Sequence, residues 1–339
     1  MSAVLPKLSL TARDVFNLLE KSPFGFVQFG RVIQSDIDAF SLAIHSGLID
    51  INNAPRCVCG NIMRLRQRLD KSENAYQGFG WQCHGSSRCR RTFSLPKVTF
   101  FEDVKFSWVK VWDLCLHWFL QTPVTVAAGQ LGVSKDAAID WYSFCRQICY
   151  DTVSDLDICI GGPGLHVELD ESHIFKRKYN RGRQLAFQHV WIFGAICRES
   201  KEAFVQVVAD RTGATLWPII RRKVYPGTVI LTDSARVYNS LHEAERGGFE
   251  HYQVNHRRNF VHPDNPNVHT NTIERQWGLL KGTIKGCMDE DRLEMYLGEF
   301  MYRRQFLMAN TNMEKRTLGK QFKVFLSDVR KAFPGVQGQ

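Results

Sequence analysis

Between residues 165 and 234 the chain carries four short apolar segments, LHVELDESHI, HVWIFGAIC, AFVQVVAD and GTVILTDS, each bounded by turn-forming or charged residues. Runs of this length, rich in Val and Ile, read as strands. A helix candidate, ATLWPIIRRKV, falls between the third and fourth, with Pro218 bearing on where it starts. Three strands, a helix and a further strand make an α/β unit on a mixed sheet. A second helix around NSLHEAERGG, a short strand HYQVNH and a long helix from about Asn271 are expected to follow. In front of the unit, Ile160-Gly161-Gly162-Pro163-Gly164 reads as a linker.

The front half has a different texture. Residues 12–49 read as helical, with SLTARDVFNLLEKS and QSDIDAFSLAIHSGLI carrying apolar residues at three-to-four spacing and Ser or Thr near each start. From Pro55 to Leu95 the pattern breaks into short pieces with cysteines at their turns. Of the 10 cysteines, Cys115, Cys145, Cys149, Cys159, Cys197 and Cys287 lie in apolar or helical contexts and read as buried thiols. Cys57, Cys59, Cys83 and Cys89 are grouped, and in a reducing compartment such a group predicts a metal site over two disulfides. Two knuckles, Cys57-x-Cys59 and Cys83-x5-Cys89, predict a zinc ribbon holding one Zn²⁺. Both spacings depart from the common two-residue gap, and His84 is a candidate substitute ligand. The alternative is four unligated buried thiols. Four protein ligands leave no open position, so the role is structural or DNA-binding.

Glu102–Gln121 reads as a long amphipathic helix through Trp108, Trp112, Leu116 and Phe119. In the stretch that follows, TPVTVAAGQLGVSKDAAIDWYSFCRQIC, two apolar-periodic segments flank Leu131-Gly132-Val133-Ser134. This is a helix-turn-helix pattern: Gly132 allows the turn, Ser134 caps the second helix, and Trp141, Phe144 and Ile148 pack inward. Lys135, Asp136 and Asp140 then face solvent or a DNA groove. An αα-hairpin without DNA contact is the alternative.

At 339 residues the chain has room for two or three domains, and 44% hydrophobic residues can bury a core. The net charge of +10 argues for a polyanionic partner, because clustered Lys and Arg release counterions from nucleic acid. No run of about 18 apolar residues is present, and MSAVLPKLSLTARDVF lacks the basic-then-apolar layout of a secretory signal. A soluble, intracellular protein without a membrane partner is expected.

Candidate chemistry lies in three acids. Asp170 is in the first strand, Asp233 ends the fourth, and Glu274 falls in the helical segment NTIERQWGLLK. Pairing of the two strands would bring Asp170 and Asp233 together. Three hard oxygen ligands suit Mg²⁺ or Mn²⁺ over zinc, and two such ions about 3.5–4 Å apart serve phosphodiester cleavage. Any one of these acids taken alone is more simply a turn or salt-bridge residue. Glu168 shares a strand face with Asp170, as an accessory or supporting group, whereas Glu171 faces the other way. Lys176, Arg177, Lys178, Arg181 and Arg183 cluster after the first strand, around a hairpin suggested by Tyr179 and Asn180-Arg181-Gly182, where they can grip phosphate. Lys281 lies two turns beyond Glu274 on the same helix face, placed for the scissile strand. Trp277 between them reads as a packing residue. His173, His256 and His269, near motif ends, read as structural, with steering of a phosphate or water as the alternative.

VELDES, FKRKYNRGR, VWIFGAI, DRTGATLWPIIRRKVYPGTVILTDSARVYNSL, VNHRRNFVHP and HTNTIERQWGLLK run in that order. Together they resemble the Merlin superfamily of eukaryotic cut-and-paste transposases and the related bacterial insertion-sequence transposases of the ISXO2-like domain type. The resemblance is dense over residues 165–306 and looser over CVCG and WQCHGSSRC. It implies an RNase H-like fold, with Asp170, Asp233 and Glu274 as the catalytic acids holding two Mg²⁺ or Mn²⁺ ions. Related sequences have either an acid or an amide as the third ligand, so Asn271, one turn before Glu274, stays open as the alternative.

The expected organisation is a helical N-terminal region (1–54), a zinc ribbon (55–98), a helix-turn-helix region (99–159), an RNase H-like DDE catalytic domain (160–310) and a C-terminal helical tail (311–339). The expected function is metal-dependent DNA cleavage and strand transfer. Expected partners are double-stranded DNA, as terminal inverted repeats and target, and a second copy of the chain or more. Localisation is expected to be nuclear if the chain is eukaryotic, as the resemblance suggests, and cytoplasmic otherwise. The alternatives are a transposase-derived host DNA-binding protein without catalysis and an RNase H-like structure-specific nuclease.

Overall fold

The computed structural model describes residues 8–21, 23–67, 79–85, 89–97, 99–102, 104, 106–174, 190–233, 235–239, 241, 249–254, 268–284, 290–308 and 317–334. Two compact units emerge: Met1–Ile148 with Arg316–Gln339, and Cys149–Lys315. Among the described residues no helix is long and apolar enough to cross a membrane.

In the first unit, helices α1 (Ala12–Phe16), α2 (Phe26–Val32) and α3 (Asp36–His45) precede a small antiparallel sheet of β1 (Arg64–Gln67), β2 (Phe79–Gln82) and β3 (Thr92–Ser94), in that order. Thr11 and Ser35 start α1 and α3 through capping boxes with Asp14 and Asp38. Next come α4 (Trp108–Phe119), α5 (Val124–Leu131) and α6 (Lys135–Ser154), the last of which belongs to this unit as far as Ile148. The last helix, α10 (Leu318–Ala332), packs into this same unit.

Helix α4 begins at Trp108, later than the sequence suggests, and it is buried nearly all round. Its start is set from outside: Asp36 Oδ1 accepts from Ser107 Oγ at 2.8 Å and from the Val109 N–H at 3.1 Å, satisfying an orphan amide of the first turn. Trp112 Nε1 donates to the Ala39 carbonyl at 3.0 Å. Phe119 and Trp118 meet Phe322 and Phe325 of α10. Because Phe322 is fully buried among Phe24, Phe29 and Phe119, Phe322→Ala is expected to destabilise this unit by about 3–5 kcal/mol. Chemical denaturation followed by tryptophan fluorescence measures that loss.

Between α5 and α6, Gly132 takes the left-handed conformation at φ 59°, and Ser134 Oγ accepts from Ala137 N at 3.1 Å to cap α6. Trp141 and Ile148 are buried as expected. Phe144 is not, being 52% exposed. The buried stripe of α6 runs through Ala138, Trp141, Tyr142, Cys145 and Ile148, and at 100° per residue Phe144 falls well off its centre. Lys135, Asp136 and Asp140 are exposed.

The second unit holds β4 (His166–His173), β5 (Trp191–Cys197), β6 (Ala203–Val208), α7 (Gly213–Lys223), β7 (Val229–Asp233), β8 (Glu250–Val254), α8 (Asn271–Thr283) and α9 (Glu290–Tyr302). Its sheet has the order β6-β5-β4-β7-β8. The β4–β5 and β5–β6 pairs are antiparallel, and the β4–β7 and β7–β8 pairs are parallel. This is the mixed α/β sheet of an RNase H-like core. Ile192, Ile196 and Val205 of the sheet form one core with Ile273, Trp277, Leu280 and Ile284 of α8 and its C-terminal end and Leu293 and Leu297 of α9. The expected helix at NSLHEAERGG lies mostly outside the described residues, which there show a 3-10 turn, Arg236–Tyr238. Of the six other cysteines, Cys115, Cys145, Cys149 and Cys197 are buried. Cys159 is instead half-exposed, its Sγ 3.1 Å from the Arg222 carbonyl, because it lies in the link ahead of the sheet. Cys287 lies outside the described residues.

Candidate active site and metal centre

Asp170 sits at the middle of the sheet because β4 is its central strand. The parallel register pairs Glu168 with Leu231; continued two residues along both strands, it brings Asp170 level with Asp233 on one face. Burial pushes the Asp170 carboxyl up to about 7, with the Trp277 indole acting against the rise and the charges of Glu171 and Asp233 adding to it. Asp233 Oδ1 accepts from the Ala235 N–H at 3.0 Å. Carboxylates crowded in partial burial are a charge arrangement that a divalent cation relieves. The donor set is all oxygen, as Mg²⁺ or Mn²⁺ requires.

Glu274 lies in the first turn of α8, exposed, with Thr270 Oγ1 3.4 Å from its Oε1. Asn271 opens the same helix and is also exposed. Asp170, Asp233 and Glu274 do not close to the spacing found for the cysteines below: among the described residues, those thiols form the one tight group of candidate ligands.

Glu168 does not reach an open site. Fully buried, it accepts from Arg198 Nε at 2.6 Å and from the Ile273 N–H at 2.8 Å. It thereby caps the start of α8 while neutralised by a guanidinium, and Arg198 in turn donates to the His269 carbonyl at 2.5 Å. Removing one partner of such a buried pair costs about 3–5 kcal/mol.

Two contacts escaped the sequence reading. Trp277 packs as expected, 6% exposed, but its Nε1 also donates to Asp170 Oδ2 at 2.8 Å. Tyr238, in the turn after Asp233, donates its hydroxyl to Glu171 Oε1. Burial raises the Glu171 carboxyl, with that hydroxyl opposing and Asp233 adding; the Arg211 charge opposes as well. Burial first, and then Glu171, hold the Tyr238 hydroxyl far above its ordinary range. A tyrosine following DSARV is the only linear signal, and it carries no chemistry of its own.

Of the candidate phosphate-gripping residues, Lys176, Arg177, Lys178, Arg181 and Arg183 lie outside the described residues, as does His256. Lys281 is part-exposed on α8 and Lys135 is exposed at the start of α6. His173 packs edge-on to Trp191, and His269 belongs to the Arg198–Glu168 cluster.

The cysteine site is built by the three-stranded sheet and the turn before it. The Sγ atoms of Cys57, Cys59, Cys83 and Cys89 all lie within 4.8 Å of one another. Cys57–Cys89 is 3.6 Å and Cys59–Cys83 is 3.5 Å. Tetrahedral zinc with bonds of about 2.3 Å has S···S edges of about 3.8 Å, so the four thiols fit one ion. Asn61 donates to Cys59 Sγ, and hydrogen bonds from Asn61 lower that thiol to about 6. Against the Gly85 N–H, burial and hydrogen bonds with the neighbouring cysteines push Cys83 up to about 12. One thiolate among crowded thiols is an arrangement that a bound cation extends to the others. His84 is exposed and outside the group.

Residues 161–305 match the family model of the ISXO2-like transposase domain. A protein of Haemophilus influenzae described as an uncharacterized transposase-like protein is 32% identical over 104 residues, which span 30% of this chain and 80% of that protein. Among solved structures, the catalytic core domain of BIV integrase is 14% identical, with 49% of this chain and 96% of that chain covered at a TM-score of 0.29. A chain of the simian T-cell lymphotropic virus intasome in complex with PP2A regulatory subunit B56 gamma is 14% identical, with 62% and 74% covered at a TM-score of 0.31. The family match spans the whole described sheet with its acids, and the bacterial relative is similar over most of its own length; this chain belongs to the ISXO2-like transposase family of insertion-sequence DDE transposases.

Proposed function

We propose that this chain is a cut-and-paste DNA transposase of the Merlin type that binds terminal inverted repeats, hydrolyses the DNA strand and joins it to target DNA. The observation that carries the reading is the β4–β7 register, which pairs Glu168 with Leu231 and, continued two residues, sets Asp170 level with Asp233. The Asp233 charge acts on Asp170, and Glu274 lies on the helix packed against that sheet face. Asp170, Asp233 and Glu274 hold two Mg²⁺ or Mn²⁺ ions, with Asn271 orienting Glu274 or a water. Such ions, when bound, activate the attacking oxygen and stabilise the leaving one. In the first step a water oxygen attacks phosphorus and the bond to the 3′ oxygen breaks, leaving a free 3′-hydroxyl. In the second, that hydroxyl attacks a target phosphate and displaces a target 3′ oxygen. No covalent bond to the protein forms.

Around this centre, Lys281 and the cluster of Lys176, Arg177, Lys178, Arg181 and Arg183 contact phosphates, and the α5–α6 pair reads the repeat with Lys135 at its edge. One Zn²⁺ on the four cysteines fixes the ribbon. Two ends are synapsed by a dimer or larger assembly, and a eukaryotic chain works in the nucleus.

The test is incubation of the full chain with Mg²⁺ and DNA carrying the element's terminal repeats, scored for strand cleavage and for joining. Both products are expected. Cleavage without joining identifies a structure-specific nuclease, and specific binding without either product identifies a DNA-binding descendant.

A further inference from the structure

We propose that Trp277 and Tyr238 are positioning residues of the acidic centre, fixing the elements that carry Glu274 and Asp233 against β4 through hydrogen bonds to the consecutive carboxylates Asp170 and Glu171. The inference rests on the reading of Asp170, Asp233 and Glu274 as a metal site. The two bonds are arranged with a common logic. Trp277 is one turn beyond Glu274 on α8, and its indole reaches Asp170. Tyr238 closes the turn that begins at Asp233, and its hydroxyl reaches Glu171 on the opposite face of β4.

The surroundings leave both rings little freedom. The strand residue paired with Asp170 is Gly194, and a Cβ there would lie 2.6 Å from the Trp277 ring, so the sheet is bare where the indole lies. Glu168, one same-face step before Asp170, holds the Ile273 N–H. Helix α8 is therefore attached to β4 at two successive levels. On the other side Tyr238 is fully buried, and Trp217 of α7 donates to the Val237 carbonyl at 2.8 Å, fixing the turn itself.

A hydrophobic ring would fill the same volume. What the N–H and O–H add is orientation: each takes one lone pair of a carboxylate and so fixes the direction of the rest. Trp277 in this way orients the ligand Asp170 itself, and groups that do so change metal affinity by about 10–100-fold, whereas Tyr238 acts by holding the turn that carries Asp233 to Glu171 of β4.

The test is calorimetric Mn²⁺ binding to the full chain without DNA, together with thermal melts and cleavage across a Mn²⁺ series, for wild type, Trp277→Phe, Tyr238→Phe and Asp170→Ala. Trp277→Phe is expected to weaken Mn²⁺ binding about tenfold or more, and Tyr238→Phe to weaken it through the loosened placement of Asp233, each with a cleavage defect that shrinks as Mn²⁺ rises. Unchanged Mn²⁺ affinity in both, with lowered melts, reduces the two residues to packing and overturns the proposal. Loss of binding in Asp170→Ala alone has the same consequence, whereas unchanged binding in Asp170→Ala overturns the metal-site reading and this proposal with it. Should the aromatic variants fail to fold, nuclear magnetic resonance of the wild type decides. Among the 8 tryptophans, one indole N–H resonance is expected to move on Mg²⁺ addition and again in Asp170→Asn; no responding indole overturns the proposal.

Discussion

Replacing Asp170 or Asp233 with alanine is expected to lower DNA cleavage in Mg²⁺ by roughly a thousandfold or more, a loss of about 4 kcal/mol of transition-state stabilisation. Binding of the terminal repeats should persist, because these side chains sit on the sheet face beneath α8, whereas readout is proposed for α5 and α6. Gel-shift and cleavage assays on the same protein separate the two. At the third position charge favours Glu274: a carboxylate offsets a divalent ion's charge, whereas the Asn271 amide offers a neutral oxygen. Glu274→Gln should therefore be the more damaging change and Asn271→Ala the milder; the reverse order makes Asn271 the ligand, and cleavage by every variant moves the site elsewhere. The acid at position 170 also sets a pH dependence. Its carboxyl, raised to about 7, keeps its proton below that value and must lose it to bind a cation. Cleavage at subsaturating Mg²⁺ should fall as pH drops below about 7 and recover with added Mg²⁺; a flat profile between pH 6 and 8 contradicts the assignment.

Cys83→Ser combined with Cys89→Ser is expected to release one zinc ion per chain, measured by elemental analysis, and to unfold the ribbon. Among the described residues the ribbon has little else to hold it. Its strands are three to four residues long, and its described buried hydrophobic side chains besides the cysteines are Met63, Leu65, Phe79, Trp81 and Leu95. Structural zinc contributes apparent binding energies of about 10–16 kcal/mol in small modules, far beyond what so small a core supplies. A strong chelator should reproduce the effect in the wild type. The melting curve of the double variant should lose a transition, and specific DNA binding should weaken with it. A double variant that keeps full zinc and an unchanged melt removes these cysteines as ligands.

The amino-acid sequence by itself determined the kinds of element and their order in the second unit. Alternating and continuous apolar runs mark β4 to β7, and the acids stand at a strand centre, a strand end and a helix start, because strand and helix periods are local properties of the chain. The cysteine group was legible for the same reason: thiols near in sequence at turns can be gathered by a small sheet, as the four Sγ atoms within 4.8 Å are. Local signals also mark the α5–α6 turn through Gly132 and Ser134. Tertiary structure alone decided the rest. Periodicity runs from Glu102, yet α4 starts at Trp108 because Asp36, remote in sequence, caps it. Residues 311–339 read as a tail, and α10 instead belongs to the aromatic core of the first unit through Phe322 and Phe325. Glu168 reads as either an accessory or a supporting group, and only its enclosure by Arg198 and the start of α8 makes it the supporting one. Trp277 reads as a packing residue and Tyr238 carries no signal of its own, and their donor atoms find carboxylates only after the sheet has brought distant segments together. The physical reason is common to all of these: hydrogen-bond partners and desolvation are set by which remote groups become neighbours, a property of the folded chain that no local pattern encodes.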